Sequence, residues 1–177
     1  MIFTPTALDG VWQIDLERHT DPRGHFARSF CAEEFAAHRL PSSFVQCSVS
    51  FNARRGTLRG LHWQAEPHPE AKLVRCTSGA IFDVAVDLRP DSPTLHRWVG
   101  IELTARNGRA LYIPPGFAHG FQCLTDDSEV FYQMTEAYHG DLGRGARWDD
   151  PAFGIVWPLP DPILSERDLV HPPTRPD

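Results

Sequence analysis

Two histidines of this chain stand in strand-like surroundings, His62 in the run RGLHWQ and His119 in PPGFAHGF. An imidazole titrates near neutrality, so either can take or give a proton under ordinary conditions. Lys72 is the only lysine among 17 basic residues, the rest being arginine. A lysine ammonium is a compact point charge that can also lose its proton, neither of which an arginine offers. Asp83, Tyr132 and Tyr138 lie on further alternating segments. His, Lys, Asp and Tyr gathered from several strands onto one inner face form an acid–base set rather than a plain apolar core.

A metal reading competes with this one. Pro114, Gly116 and His119 show the P-x-G-x-x-H spacing of the second cupin motif, and Gly56 precedes His62 at the interval of the first. The first motif then requires H-x-H and a downstream Glu. Here the chain reads His62–Trp63–Gln64, with Glu70 at a loose distance. Two histidines and a displaced Glu fall short of three good ligands. The expectation is a cupin-like barrel that lacks its metal site.

The elements that must position these groups are short and extended. Sixteen prolines and thirteen glycines punctuate the chain and imply many turns. Between them a period of two dominates. In 79–88, Phe82, Val84, Val86 and Leu88 share one face, and Ile81, Asp83, Ala85 and Asp87 the other. In 130–138 the shared face is Val130, Tyr132, Met134, Glu136 and Tyr138. Further strands are predicted near 44–52, 57–64, 72–77, 98–104 and 110–113, and 1–16 is strand-like. His62 shares a face with Gly60 and Gln64, small and polar neighbours that suit a cavity wall; Lys72 shares one with Val74 and Cys76. The one clear helical stretch is 32–38, and the proline-rich tail from Pro158 reads as irregular or helical. Many short strands with regular turns predict an all-β fold, a jelly-roll barrel or sandwich with short peripheral helices, as a single domain over 1–177.

Composition narrows the function. The formal net charge of −6 argues against a general nucleic-acid binder, while local arginines still permit an anionic small-molecule site. No apolar run approaches the ~20 residues of a membrane span. The first residues, MIFTPTALDG, lack a basic and apolar leader, so the cytoplasm is expected. In a reducing compartment Cys31, Cys47, Cys76 and Cys123 are expected to be buried thiols rather than bridges.

The runs GTLRGLHWQ, KLVRCTSGAIFDVAVDLRPDSPT, YIPPGFAHGFQCL and LSERD, in this order, resemble the dTDP-4-keto-6-deoxyglucose 3,5-epimerases of the dTDP-rhamnose and related deoxysugar routes. The resemblance runs from DPRGHF at Asp21 to Asp168. It implies a β jelly roll, a homodimer with exchanged N-terminal strands, and no cofactor. By the same resemblance His62 is the general base, Asp168 the carboxylate that orients it, and Tyr132 the proton donor on the opposite face of the sugar. Lys72 and His119 match residues near the keto oxygen and substrate, and Arg23 and Arg59 match substrate-binding arginines. Phe26, Arg28, Gln46, Ser48, Tyr138 and Arg167 fall at further substrate-binding positions.

The chain departs from the family pattern at several of these places. RGHFARSF carries Arg28 where Glu is usual, Gln46–Cys47–Ser48 replaces QDN, Leu142–Gly143–Arg144 replaces SEG, and Arg167 replaces Lys. A GDP- or CDP-linked sugar, and inversion at C3 alone, therefore stay open beside the dTDP sugar. A metal-dependent cupin enzyme using His62, His119 and a carboxylate is a second class, and a non-catalytic sugar-binding cupin a third.

Overall fold

The computed structural model describes residues 1–172. Its strands are β1 (Ile2–Pro5), β2 (Trp12–Asp15), β3 (His19–Asp21), β4 (Gly24–Phe26), β5 (Gln46–Asn52), β6 (Leu58–Gln64), β7 (Lys72–Ser78), β8 (Ala80–Asp87), β9 (Trp98–Thr104), β10 (Ala110–Ile113), β11 (Phe117–Cys123), β12 (Ser128–Met134) and β13 (Gly143–Gly145). Two short helices, α1 (Ala32–Ala37) and α2 (Glu166–Leu169), complete the set. The strands form a six-stranded sheet in the order β1-β2-β10-β7-β12-β5 and a five-stranded sheet in the order β13-β6-β11-β8-β9. The pair β3-β4 stands as a separate hairpin. All the pairings within these sheets are antiparallel, as the jelly-roll expectation requires.

Alternation along the strands builds three apolar layers. Between the sheets, Val74, Cys76, Leu111 and Val130 from the larger sheet meet Ile81, Ala85, Leu103, Phe117 and Phe121 from the smaller. The outer face of the larger sheet packs Ile14, Leu73, Ala110 and Tyr112 against Phe35 of α1. The outer face of the smaller packs Leu61, Val84, Val86 and Ala118 against Ala146 and Phe153. Both faces of the central strands are therefore buried, and Val84 to Val86 is apolar at every position for that reason. Phe35 explains why so short a helix persists. Its ring is fully buried among Phe3, Phe30, Phe44 and Tyr112, with centroids 4.9–6.5 Å away.

Two expectations are corrected, the reach of the strand that carries Tyr132 and the burial of the cysteines. The strand read over 130–138 ends at Met134, so Tyr138 lies in the following loop, not on the Tyr132 face. Segment 1–16, expected to be strand-like, forms the antiparallel pair β1–β2. The β3–β4 hairpin that follows stands apart from both sheets. The four cysteines are unbridged, but only Cys76 and Cys123 are buried; Cys47 is exposed.

Candidate active site

His62 projects from β6, and its Nε2 donates to Asp168 Oδ1 at 2.7 Å. The two residues are 106 positions apart, and the tail is tied down to join them. Ile163 accepts from the Leu58 amide and donates to the Gly56 carbonyl, which fixes the tail beside the start of β6. Ser165 then caps α2, its side chain accepting from the Asp168 amide at 3.2 Å. Burial works to raise the Asp168 carboxyl, but the hydrogen bond and charge of His62 and the Ser165 contact prevail and hold it below its ordinary value. An ionised carboxylate only accepts, so Nε2 carries the ring hydrogen and Nδ1 is left with its lone pair. His62 is 40% exposed at the side chain and Asp168 only 5%, so the imidazole faces outward with the carboxylate behind it.

A register shift sets the neighbours of His62. On β11, His119 pairs with His62 and Phe121 with Arg59, so Gly60 and Leu61 together oppose Gly120. This is a β-bulge, and it reverses the alternation, turning Arg59 toward the same side as His62. Only glycine serves here: Gly60 has φ +127°, and a Cβ on it would lie 2.5 Å from the Gly120 Cα. Arg59 Nε donates to Asn52 Oδ1 of the facing sheet at 2.7 Å. Beside it, His119 Nε2 contacts Asp83 Oδ1 at 2.7 Å in a fully enclosed pair. Burial pushes the Asp83 carboxyl up, against the pull of His119. Tyr132, on β12 of the facing sheet, meets the His119 ring edge-on with centroids 5.9 Å apart. Burial first, then the Asp83 charge, push the Tyr132 phenol far above its ordinary value, so it is fully protonated at neutral pH.

A cleft of about 150 Å³ opens over His62 and is lined by Gln64, Glu70, Lys72, Tyr138, Arg144 and Arg167. Lys72 forms an ion pair with Glu70, both nearly enclosed. Gln64 shapes the rim: its amide nitrogen donates to the His68 and Ala137 carbonyls, and its oxygen accepts from the His139 amide. Arg59 and Asp168 line an adjoining depression of about 160 Å³ with Ser165.

Most of the sequence-predicted residues converge. His62, Lys72, Tyr138 and Arg167 share the cleft, Asp168 and Arg59 line the adjoining depression, and His119, paired across from His62, carries Tyr132 against its ring. Gln46 accepts from the Tyr138 amide, and Ser48 lies directly across from Tyr132. Arg23 and Phe26 do not join them within one chain: they sit on the separate hairpin, Arg23 held by Asp21 and Phe26 76% exposed. Arg28 is bound to Glu34 and lines a different depression with Met1 and His19. Glu70, expected at most as a displaced metal ligand, is the counter-ion of Lys72. Asn52, Ser165, Gly145 and His171 were not singled out from sequence. The S-x-x-D spacing of Ser165 and Asp168 was a usable signal, since it marks a helix start. Among the described residues, the close groups of His, Asp and Glu atoms are His62–Asp168–His171 and His68–Glu136–His139; neither unites His62 with His119.

Comparison with known proteins gives the same picture at the level of the whole chain. The sequence profile described as dTDP-4-dehydrorhamnose 3,5-epimerase matches residues 5–175. The chain is 47% identical to the dTDP-4-dehydrorhamnose 3,5-epimerase of Methanothermobacter thermautotrophicus, covering 98% of this chain and 94% of that one. It is 44% identical to that of Sinorhizobium fredii over 97% of this chain and 89% of the other. Among solved structures, the dTDP-4-dehydrorhamnose 3,5-epimerase of Bacillus anthracis with TDP and PPi bound superposes with a TM-score of 0.94 at 39% identity, covering 98% and 99% of the two chains. The chain belongs to the dTDP-4-dehydrorhamnose 3,5-epimerase family.

Proposed function

We propose that this protein inverts the carbons beside the C4 keto group of a dTDP-linked 4-keto-6-deoxyhexose, C3 and C5 in turn, without a cofactor. The observation that carries the reading is the placement of an oriented base and a protonated acid on facing sheets, His62 with Asp168 on one and Tyr132 on the other. His62 Nδ1 takes the proton from the carbon next to the ketone. The electron pair moves onto the keto oxygen, and the enolate meets the cation of Lys72, with His119 close by. Tyr132 returns a proton from the opposite face, and the new C–H bond has inverted geometry. A raised phenol pKa does not prevent this, because an enolate carbon is a far stronger base than a phenolate. Solvent then removes the proton from His62 and restores that of Tyr132. Arg59 serves the diphosphate through paired guanidinium contacts.

The exposed hairpin supports a homodimer in which N-terminal strands are exchanged. Arg23 and Phe26 lie away from their own His62, and the edge strand β5 exposes Val49 and Phe51. A partner covering that edge, and receiving the hairpin at its own site, removes both liabilities. A monomer mass by light scattering at micromolar concentration refutes this. We place the chain in the cytoplasm; among the described residues no helix is long and apolar enough to cross a membrane.

The test is solvent exchange on the dTDP-4-keto-6-deoxyglucose substrate. Wild type in D₂O is expected to place deuterium at C3 and C5 with inversion. His62→Ala is expected to lose both by about 10²–10⁴-fold. Retained exchange in His62→Ala overturns the assignment, and loss of activity on chelation moves the protein to the metal-dependent class.

A further inference from the structure

We propose that His62, Asp168 and His171 together form a site for a divalent transition-metal ion of the zinc type, and that its occupation switches off the base. His171 follows α2, where the chain passes back over β13. Its ring fills the space that a side chain on Gly145 would occupy, since a Cβ there would lie 2.3 Å from His171 Nε2. Gly145 pairs directly with His62 across the β13–β6 ladder. Shape complementarity with a glycine backbone therefore seats His171 beside the base, with ring centroids 5.9 Å apart.

Among the described residues His171 Nε2 is buried and has no hydrogen-bond partner. The anionic atom of those residues that it approaches is Asp168 Oδ1 at 3.8 Å, too far to bond and already engaged by His62. A buried nitrogen aimed at a shared carboxylate, with a second imidazole beyond it, requires an explanation. Ligand atoms around a tetrahedral zinc at about 2.0–2.1 Å lie about 3.3 Å from one another. The three atoms here are 2.7 and 3.8 Å apart along the two contacts to Asp168, and all lie within 4.8 Å. Small side-chain rotations bring them to bonding distance, and two imidazoles with one carboxylate suit zinc and its neighbours rather than calcium or magnesium.

The consequence for the base follows from the ring's proton count. A neutral imidazole has one hydrogen. With Asp168 as partner that hydrogen sits on Nε2 and leaves Nδ1 bare. An ion on Nε2 displaces it to Nδ1, the atom that must be bare to accept a substrate proton. The inhibitory step rests on His62 being the base; the binding does not.

The experiment titrates chelator-treated protein with zinc chloride by calorimetry and locates the ion by anomalous scattering at the zinc edge. Expected are one site in the micromolar range, a peak between the three side chains, and affinity at least about tenfold weaker in His171→Ala and His171→Asn. His139→Ala, which breaks the exposed His68–Glu136–His139 group, is the control and should retain that site. Bound zinc should suppress deuterium exchange into substrate, and EDTA should restore it. Binding that survives both His171 variants, or a peak only at His139, overturns the site. Exchange that persists with zinc bound at the triad overturns the switch. His62→Ala in zinc-free buffer separates this from a wrong base: if that variant still exchanges, the functional reading has failed instead.

Discussion

Replacing Tyr132 with phenylalanine should separate exchange from inversion. The substitution removes one oxygen and leaves the ring against His119, where the centroids are 5.9 Å apart. The hydroxyl contacts Ser50, so the stability cost is that of a single hydrogen bond, about 1 kcal/mol or less. His62, Asp168 and Lys72 sit on other strands or elements and keep their geometry. Proton abstraction therefore continues, and the enolate is returned to its starting form by deuterated His62. Loss of a positioned acid slows the inverting step by about 10²–10⁴-fold, equivalent to about 3–5 kcal/mol in its barrier. Mass spectrometry of the recovered sugar, with NMR to assign configuration, reads both quantities in one sample. The expected result is deuterium in uninverted substrate at a rate within a few-fold of wild type. If exchange and inversion fall together, Tyr132 has a packing role. If inversion persists at the wild-type rate, the donor is another group, and Tyr138, which lines the cleft from a loop, is the first to test.

Asp168→Asn keeps the shape of the side chain but removes the anion that fixes the hydrogen on His62 Nε2, so kcat should fall by about 10²–10⁴-fold with little change in KM; an unchanged kcat refutes its orienting role. Gly60→Ala should destabilise by more than about 3 kcal/mol, because its Cβ meets the Gly120 backbone at 2.5 Å and the residue has φ +127°; a urea midpoint close to wild type refutes the bulge. Burial works to raise the Asp87 carboxyl, but Arg89, Ser92 and Thr94 together hold it well below its ordinary 3.8. Its ionised form thus contributes stability that is fully present above about pH 4 and disappears as pH falls through the lowered folded value. Asp87→Asn should cost about 3 kcal/mol at pH 7 and progressively less below pH 4, by urea denaturation at each pH; a pH-independent difference refutes the assignment.

Much of this site was readable because the chemistry lies on strands with strict alternation. His62, Lys72, Asp83 and Tyr132 were each assigned to an inner face by period two alone, and each is there. Arg59 shows where that rule fails. Counting in twos from His62 puts it on the outer face, and only the paired glycines Gly60 and Gly120 hint at the inserted residue that turns it inward. Tyr138 fails for a related reason: its apolar-looking period continues past Met134, but the strand stops where its ladder partners on β5 and β7 run out. Arg23 and Phe26 sit on a hairpin apart from both sheets and Arg28 is held by Glu34, placements that strand alternation does not encode.

Two histidine–carboxylate pairs of the same 2.7 Å geometry lie side by side on paired strands, yet they cannot do the same work. The His62 pair has its carboxylate held below the ordinary range and its imidazole open to the cleft, as the proposed exchange of a proton with substrate and solvent requires. The His119 pair is sealed, its carboxylate is driven up by burial, and Asp83 Oδ2 has no partner among the described residues. A proton exchanged there has no route out. Its effect is electrostatic and reaches Tyr132: the Asp83 charge opposes ionisation of the phenol, while Arg59 favours it. Burial is the larger influence on the phenol; the Asp83 charge adds to it, and the nearby Arg59 guanidinium opposes it. Epimerisation needs a group that gives its proton only to a carbanion and a group that takes one readily from carbon. The bulge at Gly60 lets one sheet present His62, Arg59 and His119 together, leaving the facing sheet to present Tyr132, which is the division of labour the proposed base and acid require.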